Sequence, residues 1–305
     1  MHRLESTVET LHGHWSREYA PVLTIDPGET VRFQTLDARW LVAPGEQFAP
    51  LPEPRPVGHA LTGPVYVRGA EPGMALAVHV KRLRTNNWGW NEAGGGAYGV
   101  NPLLAGMSEG ERLHLDWQLD PDALVGTNQF GHTVKLRPFL GVMGVAPAEP
   151  GIHSTTPPRA NGGNIDCKEL VEGSTLYLPV LAPGALFSCG DGHAVQGDGE
   201  VSCLAIECGM EAAELTFDLV PNMPITMPRA KTPAGWVTFG FSENLNEAMV
   251  QALEGMLDLM GELHGLDRKT ALALASLVVD LRVTQVVNQA MGVHAVLPDN
   301  AIGGL

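Results

Sequence analysis

A mainly β fold with a small helical rear is what this 305-residue sequence predicts. Three observations carry it. Up to about residue 240, short runs of β-branched and apolar residues alternate with Gly and Pro turns, the pattern of a sandwich or barrel. From Ser242 the apolar residues fall at three-and-four spacing, the period of a helix. The composition, 44% apolar and 17% charged, belongs to a chain that buries a sizeable core.

The expected strands, in order, lie at 21–25, 30–36, 65–68, 75–81, 133–138 and 176–180; the first is closed by Asp26-Pro27-Gly28. Leu245, Met249, Leu253, Met256, Met260 and Leu263 then mark one face of an amphipathic helix. Asn244-Leu245-Asn246-Glu247 reads as its capping box and Gly265 as its stop. A second helix is expected within 267–281, apolar enough to be buried on most sides, and a β-branched strand over 282–288. The division is therefore a β-rich region over 1–240 and a helical or α/β part over 241–305. An internal echo adds detail. Tyr66 through Gly73 and Tyr177 through Gly184 share Tyr and Pro-Gly spacing, as expected of a duplicated strand–turn–strand unit or of two ordinary hairpins.

Composition also excludes functions. A formal net charge of −15 argues against nucleic acid, which needs a basic face. The first six residues, Met1-His2-Arg3-Leu4-Glu5-Ser6, lack the apolar run of a signal peptide, and the longest apolar stretch, 271–279, is too short to span a bilayer. No membrane role is expected. Cys167, Cys189, Cys203 and Cys208 form no CxxC pair, so a reduced, cytoplasmic setting is the simple expectation.

Residues 161–200 carry the chemistry. Two Gly-Asp-Gly units, Gly190-Asp191-Gly192 and Gly197-Asp198-Gly199, are followed by His193 and Glu200. Carboxylates repel one another, so gathering them beside an imidazole is costly unless a cation joins them. The glycines suit a tight turn around a small ligand better than a regular element. Asp166, Asp191 and His193 are candidate metal ligands; carboxylate-plus-imidazole ligation suits zinc, and also manganese or iron. Asp191 and His193 are two apart, as are Asp198 and Glu200, so each pair points to one side of an extended segment. Glu200 is the preferred proton shuttle, with Asp198 beside it as a catalytic candidate. Bland readings stand alongside. Asp166 could be an Asx turn or helix N-cap, Asp191 and Asp198 ordinary turn residues, and Glu200 a surface charge. His12 and His14 are expected in solvent or at a subunit contact, and Asp280 with Arg282 as a structural ion pair.

Rival chemistries fit less well. A nucleophilic cysteine wants an electropositive setting, and the neighbours of Cys167 and Cys189 are acidic. There is no G-x-S-x-G elbow, and Gly94-Gly95-Gly96 lacks the spacing and Lys of a phosphate cradle. That stretch is expected to shape the entrance to the site. A second class of function is a non-catalytic binding protein with a structural calcium site, which would leave His193 without a use.

Over nearly its whole length the chain resembles the acetamidase/formamidase family. The resemblance rests on Gly63-Pro64-Val65-Tyr66-Val67, Gly69 through Gly73, Arg137-Pro138-Phe139, Gly141 through Pro147, Gly162-Gly163-Asn164-Ile165-Asp166 and Leu176 through Val180. It continues through Gly184 to Phe187, Gly190-Asp191, His193-Ala194, Gln196 through Val201, Asp280 through Asn288 and Gly292-Val293-His294. It departs at Met74, where the family often places an acid, and around Leu36 to Trp40. The resemblance implies two related jelly-roll-like β-sandwich units with a smaller C-terminal α/β part. It implies hydrolysis of a short, neutral linear amide to a carboxylate and ammonia by a homodimer, without an organic cofactor. Asp37 and His59, which precede or open family-like segments, join the candidate metal ligands, though either alone is more often structural. Asn164 is the candidate substrate-binding residue. The expected cofactor is a divalent metal ion, zinc first and calcium second.

Overall fold

The structure, a computed structural model, describes residues 1–95, 106 and 109–303. Among these, two large sheets of nine and eleven strands lie face to face. The expected strands are present as Leu23–Ile25, Thr30–Thr35, Leu61–Val67, Ala75–Thr85, Thr133–Lys135 and Thr175–Pro179. Ala75–Thr85 outruns its expected end because Met210–Val220 pairs with it along its full length. Between the sheets, Phe33 and Phe217 of one meet Phe187 of the other, edge to face, with ring centroids 6.1 and 5.0 Å apart. Val65, Val78 and Met143 close the same core.

The two segments of the internal echo pair with each other. Leu61–Val67 and Ala75–Thr85 form one strand–turn–strand unit, crossing from the eleven-stranded sheet to the nine-stranded one. Thr175–Pro179 and Phe187–His193 form the other, crossing in the opposite sense. First strand pairs antiparallel with last, and the two middle strands pair likewise, as a two-fold relation demands. The turns bind each other. Val67 N–H donates to the Gly184 carbonyl at 2.9 Å, Gly184 N–H to Ala70 at 2.8 Å, and Val180 N–H to Met74 at 2.9 Å. Met74 packs on the sandwich core in this turn.

The helical rear belongs to the same framework. Leu245–His264 begins where Asn244 Oδ1 accepts from Asn246 N–H and ends at Gly265, in the left-handed region at φ 66°. The reciprocal half of the expected capping box is replaced: Glu247 takes the Ser242 hydroxyl, and that hydroxyl accepts from Asn244 N–H. Ala248, Ala252, Met256 and Met260 pack the helix on strands Gly235–Ser242 and Met291–Leu297. The second helix, Arg268–Val278, is capped by Asp267. It buries only Ala271 and Ala275 and leaves Leu277 78% exposed, so the expectation of burial on most sides is corrected. Its one covered face lies on the long helix. Strand Asp280–Gln285 then returns the chain to the nine-stranded sheet beside Met291–Leu297. No helix among the described residues is long and apolar enough to cross a membrane. The Gly94-Gly95-Gly96 stretch runs into residues outside those described.

Candidate active site

The first Gly-Asp-Gly unit is not a turn. It lies inside strand Phe187–His193, which is bonded to Phe139–Gly144 on one side and to Leu61–Val67 and Glu207–Cys208 on the other. The glycines serve close backbone approach. A Cβ on Gly190 would sit 2.1 Å from the Ala60 carbonyl oxygen, and one on Gly192 would sit 2.6 Å from that of Cys208. Asp191 between them has φ 57°. Three of the site's carboxyl residues, Asp166, Asp191 and Glu200, share this uncommon backbone region, which the surrounding pairings hold in place.

Four elements bring the cluster together. Asp166 follows strand Gly162–Asn164, its N–H donating to the Gly141 carbonyl at 3.2 Å. Glu207 stands directly across from His193 in the sheet. Glu200 ends the second Gly-Asp-Gly unit, which is a true turn with Gly199 at φ 97°. Gly199 is pinned to the C-terminal sheet: its N–H donates to Thr284 at 3.0 Å and its carbonyl accepts from Val286 at 3.2 Å. Gly141 leaves the floor open. A Cβ there would fall 2.6 Å from an oxygen of Asp166 and of Asp191 and 2.8 Å from the His193 ring.

His193 is the hub. Its Nε2 lies 3.4 Å from Asp191 and 3.5 Å from Glu207, and its Nδ1 lies 3.8 Å from Asp166. Asp166, Asp191 and His193 make one group able to hold a metal ion; His193, Glu200 and Glu207 make a second. All five are buried. Asp166 Oδ1, Asp191 Oδ1, His193 Nδ1, Glu200 Oε2 and Glu207 Oε2 have no hydrogen-bond partner among the described residues. Each such buried orphan costs about 1–3 kcal/mol, and more when charged, so the donor set fits a cation that would satisfy them. Burial pushes the acids Asp166, Glu200 and Glu207 well above the usual carboxylate range, and their mutual repulsion adds to it. Burial also opposes ionisation of Asp191, but the His193 charge and hydrogen bond outweigh it and hold this carboxyl low. His193 is raised in turn, because Glu207 and Asp191 overcome the desolvation of its ring.

The remaining candidates fall at different distances from this hub. A cavity of about 290 Å³ opens over the cluster, and His59 and Asn164 line it. His59 Nδ1 shares a 2.8 Å hydrogen bond with the Thr155 hydroxyl. Asn164 donates to the Thr156 carbonyl at 3.0 Å, and its buried Oδ1 has no partner among the described residues. Asp37 is buried nearby, but its oxygens are committed to the N–H groups of Arg39 and Leu41 and to the Trp90 indole at 2.7 Å. It lies outside both metal-competent groups. Asp198 faces away, paired with Lys168 Nζ at 2.8 Å. His12 is half-buried and His14 buried rather than solvent-facing: His12 Nε2 shares a 2.8 Å bond with Ser188 Oγ, and His14 Nε2 bonds the Pro56 carbonyl. Asp280 and Arg282 do pair, at 3.3 Å, and Arg282 also reaches Glu169. The thiols are poor nucleophiles. Burial raises Cys167, Cys189 and Cys208, and pushes Cys203 in the cavity wall up to about 12.

Sequence reasoning missed Glu207 and Asn288. Glu207 sits in a two-residue strand with no motif around it. The Asn288 amide donates to Asp166 Oδ2, and Gln285 shapes the loop that delivers it by accepting from Val287 and Asn288 N–H groups at 2.8 and 3.1 Å.

The profile of the acetamidase/formamidase family matches residues 2–154 and 148–301. The chain belongs to this family. An acetamidase of Mycolicibacterium smegmatis is 28% identical over 300 residues, covering 75% of this chain and 73% of that one. The solved acetamidase of Bacillus halodurans has a TM-score of 0.85 at 27% identity and covers 97% of both chains. The acetamidase of Yersinia enterocolitica has a TM-score of 0.87 at 26% identity, covering 99% of this chain and 93% of that one. Family membership supports hydrolysis of small amides.

Proposed function

We propose that this chain hydrolyses the carbon–nitrogen bond of a small linear amide to a carboxylate and ammonia, using a divalent metal ion held by Asp166, Asp191 and His193. The buried, mutually unsatisfied cluster at the floor of the cavity carries the reading. A divalent ion bound there supplies Lewis acidity towards a carbonyl and towards water. The imidazole at the hub favours zinc, and also manganese or iron, over calcium, which takes oxygen ligands. It likewise disfavours a structural calcium site in a non-catalytic binding protein.

The protein's own groups then divide the work. Asn164 Oδ1 accepts from the substrate amide nitrogen and orients it. The carbonyl carbon gains a hydroxyl from water, the C–N bond breaks, and the nitrogen leaves as ammonia with the proton. Glu200, kept protonatable by burial and by Asp166, carries that proton from water to nitrogen. Asn288 holds Asp166 Oδ2 and leaves Oδ1 for the ion. Four free cysteines accord with a reducing cytoplasm, and a homodimer is the expected assembly.

The test is ammonia release from formamide, acetamide and longer primary amides before chelation, after it, and after zinc or manganese is restored. Chelator-sensitive release recovered with metal is expected. Release that survives thorough metal removal would exclude the metal from the reaction. Glu200→Gln should abolish turnover with metal content intact; loss of the metal would move Glu200 into the ligand set.

A further inference from the structure

The cavity is larger than the smallest amides need. A water occupies about 30 Å³ in the liquid, so a volume of about 290 Å³ accommodates roughly ten non-hydrogen atoms. Formamide has three and acetamide four. The walls are also unlike. Acids and imidazoles make the floor, whereas Ala38, Trp90, Leu204 and Val287 supply apolar lining. Trp90 is held firmly: its indole donates to Asp37, the Arg39 guanidinium lies 4.0 Å from its ring centroid, and His114 stacks at 5.9 Å. With Arg39 and His114 against its ring, buried Trp90 offers the cavity a fixed edge rather than a face, and this edge joins Ala38, Leu204 and Val287 in an apolar wall that meets a substrate chain at little entropic cost.

From this, and resting on the amidase reading above, we propose that the preferred substrates are primary amides with a neutral, apolar acyl chain of about four to six carbons. The amide group sits on the acidic floor and the chain lies along Trp90, Leu204 and Val287. A charged tail fits poorly. Arg39 is already engaged by Glu92 through two hydrogen bonds of 3.1 and 2.9 Å, and the apolar wall would strip the tail's hydration without replacing it.

The experiment compares kcat/KM for formamide, acetamide, butyramide, hexanamide and succinamate on zinc-supplemented protein. Each added methylene from acetamide to butyramide should raise kcat/KM about fourfold, the rate equivalent of burying one CH₂. Succinamate should fall at least tenfold below butyramide. In Leu204→Trp, which fills the apolar wall, the butyramide-to-acetamide ratio should drop at least tenfold. A maximum at formamide or acetamide in the unaltered protein overturns the proposal and leaves the amidase reading standing; it decides the matter even if the variant fails to fold. Turnover of none of these amides overturns the amidase reading and this proposal with it.

Discussion

The two Gly-Asp-Gly units are identical as tripeptides and opposite as structures. In Gly190-Asp191-Gly192 the glycines lie in a strand interior because neighbouring carbonyl oxygens leave no room for a side chain. Asp191 is thereby forced into a dry cluster around His193. In Gly197-Asp198-Gly199 the chain turns, no atom lies within 4 Å of a Cβ built on Gly197, and Asp198 meets Lys168 at the surface. The same three residues give a site in one place and a connector in the other. What differs is the tertiary surroundings.

The largest effect should come from the buried acid. Asp191→Asn keeps the shape but removes the negative charge that, with Glu207, raises His193 against the desolvation of its ring. Amide turnover should fall about a thousandfold or more, with bound metal lost in step. Elemental analysis beside the activity assay checks both. Metal retained at full stoichiometry would take Asp191 out of the ligand set and erase the contrast with Asp198.

Next comes the backbone. Gly190→Ala must move a strand or the Ala60 carbonyl, since the new Cβ starts 2.1 Å away. A stability loss of about 3 kcal/mol or more is expected in a denaturant melt, the range of severe core overpacking. An unchanged midpoint would mean that the strand is free to shift, and the close-approach explanation would fall.

Each unit also has an imidazole behind it, half-buried His12 for the first and fully enclosed His294 for the second. His12 bonds Ser188, two residues before Gly190, and His294 bonds Thr284, whose carbonyl receives the Gly199 N–H. Burial pushes both histidines down from 6.5 to about 4. Unfolded, each would take up a proton near pH 6.5 that the folded protein refuses until about 4. Stability is therefore full above pH 6.5 and lost as pH falls through that window, by up to about 3 kcal/mol for fully enclosed His294. Melting midpoints recorded from pH 7.5 to 4 should drop accordingly, and His294→Gln should flatten part of the slope. An equal slope in the variant would show that His294 stays uncharged at no cost.

Much of this contrast was out of reach of the sequence, for identifiable reasons. Asp166, Asp191, His193 and Glu200 were legible because acids and an imidazole crowd into a short span, a pattern costly without a ligand. The long helix was legible from its period and from Gly265. Glycine, by contrast, permits a turn and a crowded strand equally, so nothing local separated the first unit from the second. Glu207 reaches His193 only through strand register, and Asn288 reaches Asp166 only because the loop between the last two strands of the nine-stranded sheet meets the end of Gly162–Asn164 in the eleven-stranded one. Both are products of topology, which spacing along one segment does not encode.

The smallest effects should fall on the second unit, and their smallness is informative. Gly197 is not in the left-handed region and has open space where a Cβ would go, so Gly197→Ala meets no clash. It should be neutral or stabilising by about 0.4–1 kcal/mol, because alanine leaves the unfolded chain fewer conformations to lose. Asp198→Asn removes one partly exposed ion pair with Lys168, worth about 0.2–1 kcal/mol, and should leave metal content unchanged. Calorimetric melts of the two variants, read beside Gly190→Ala and Asp191→Asn, make a matched set. A large loss at position 197 or 198 would show that the turn carries strain or chemistry of its own, and that Glu200 depends on its neighbour's charge as well as on the pinning of Gly199 to the sheet.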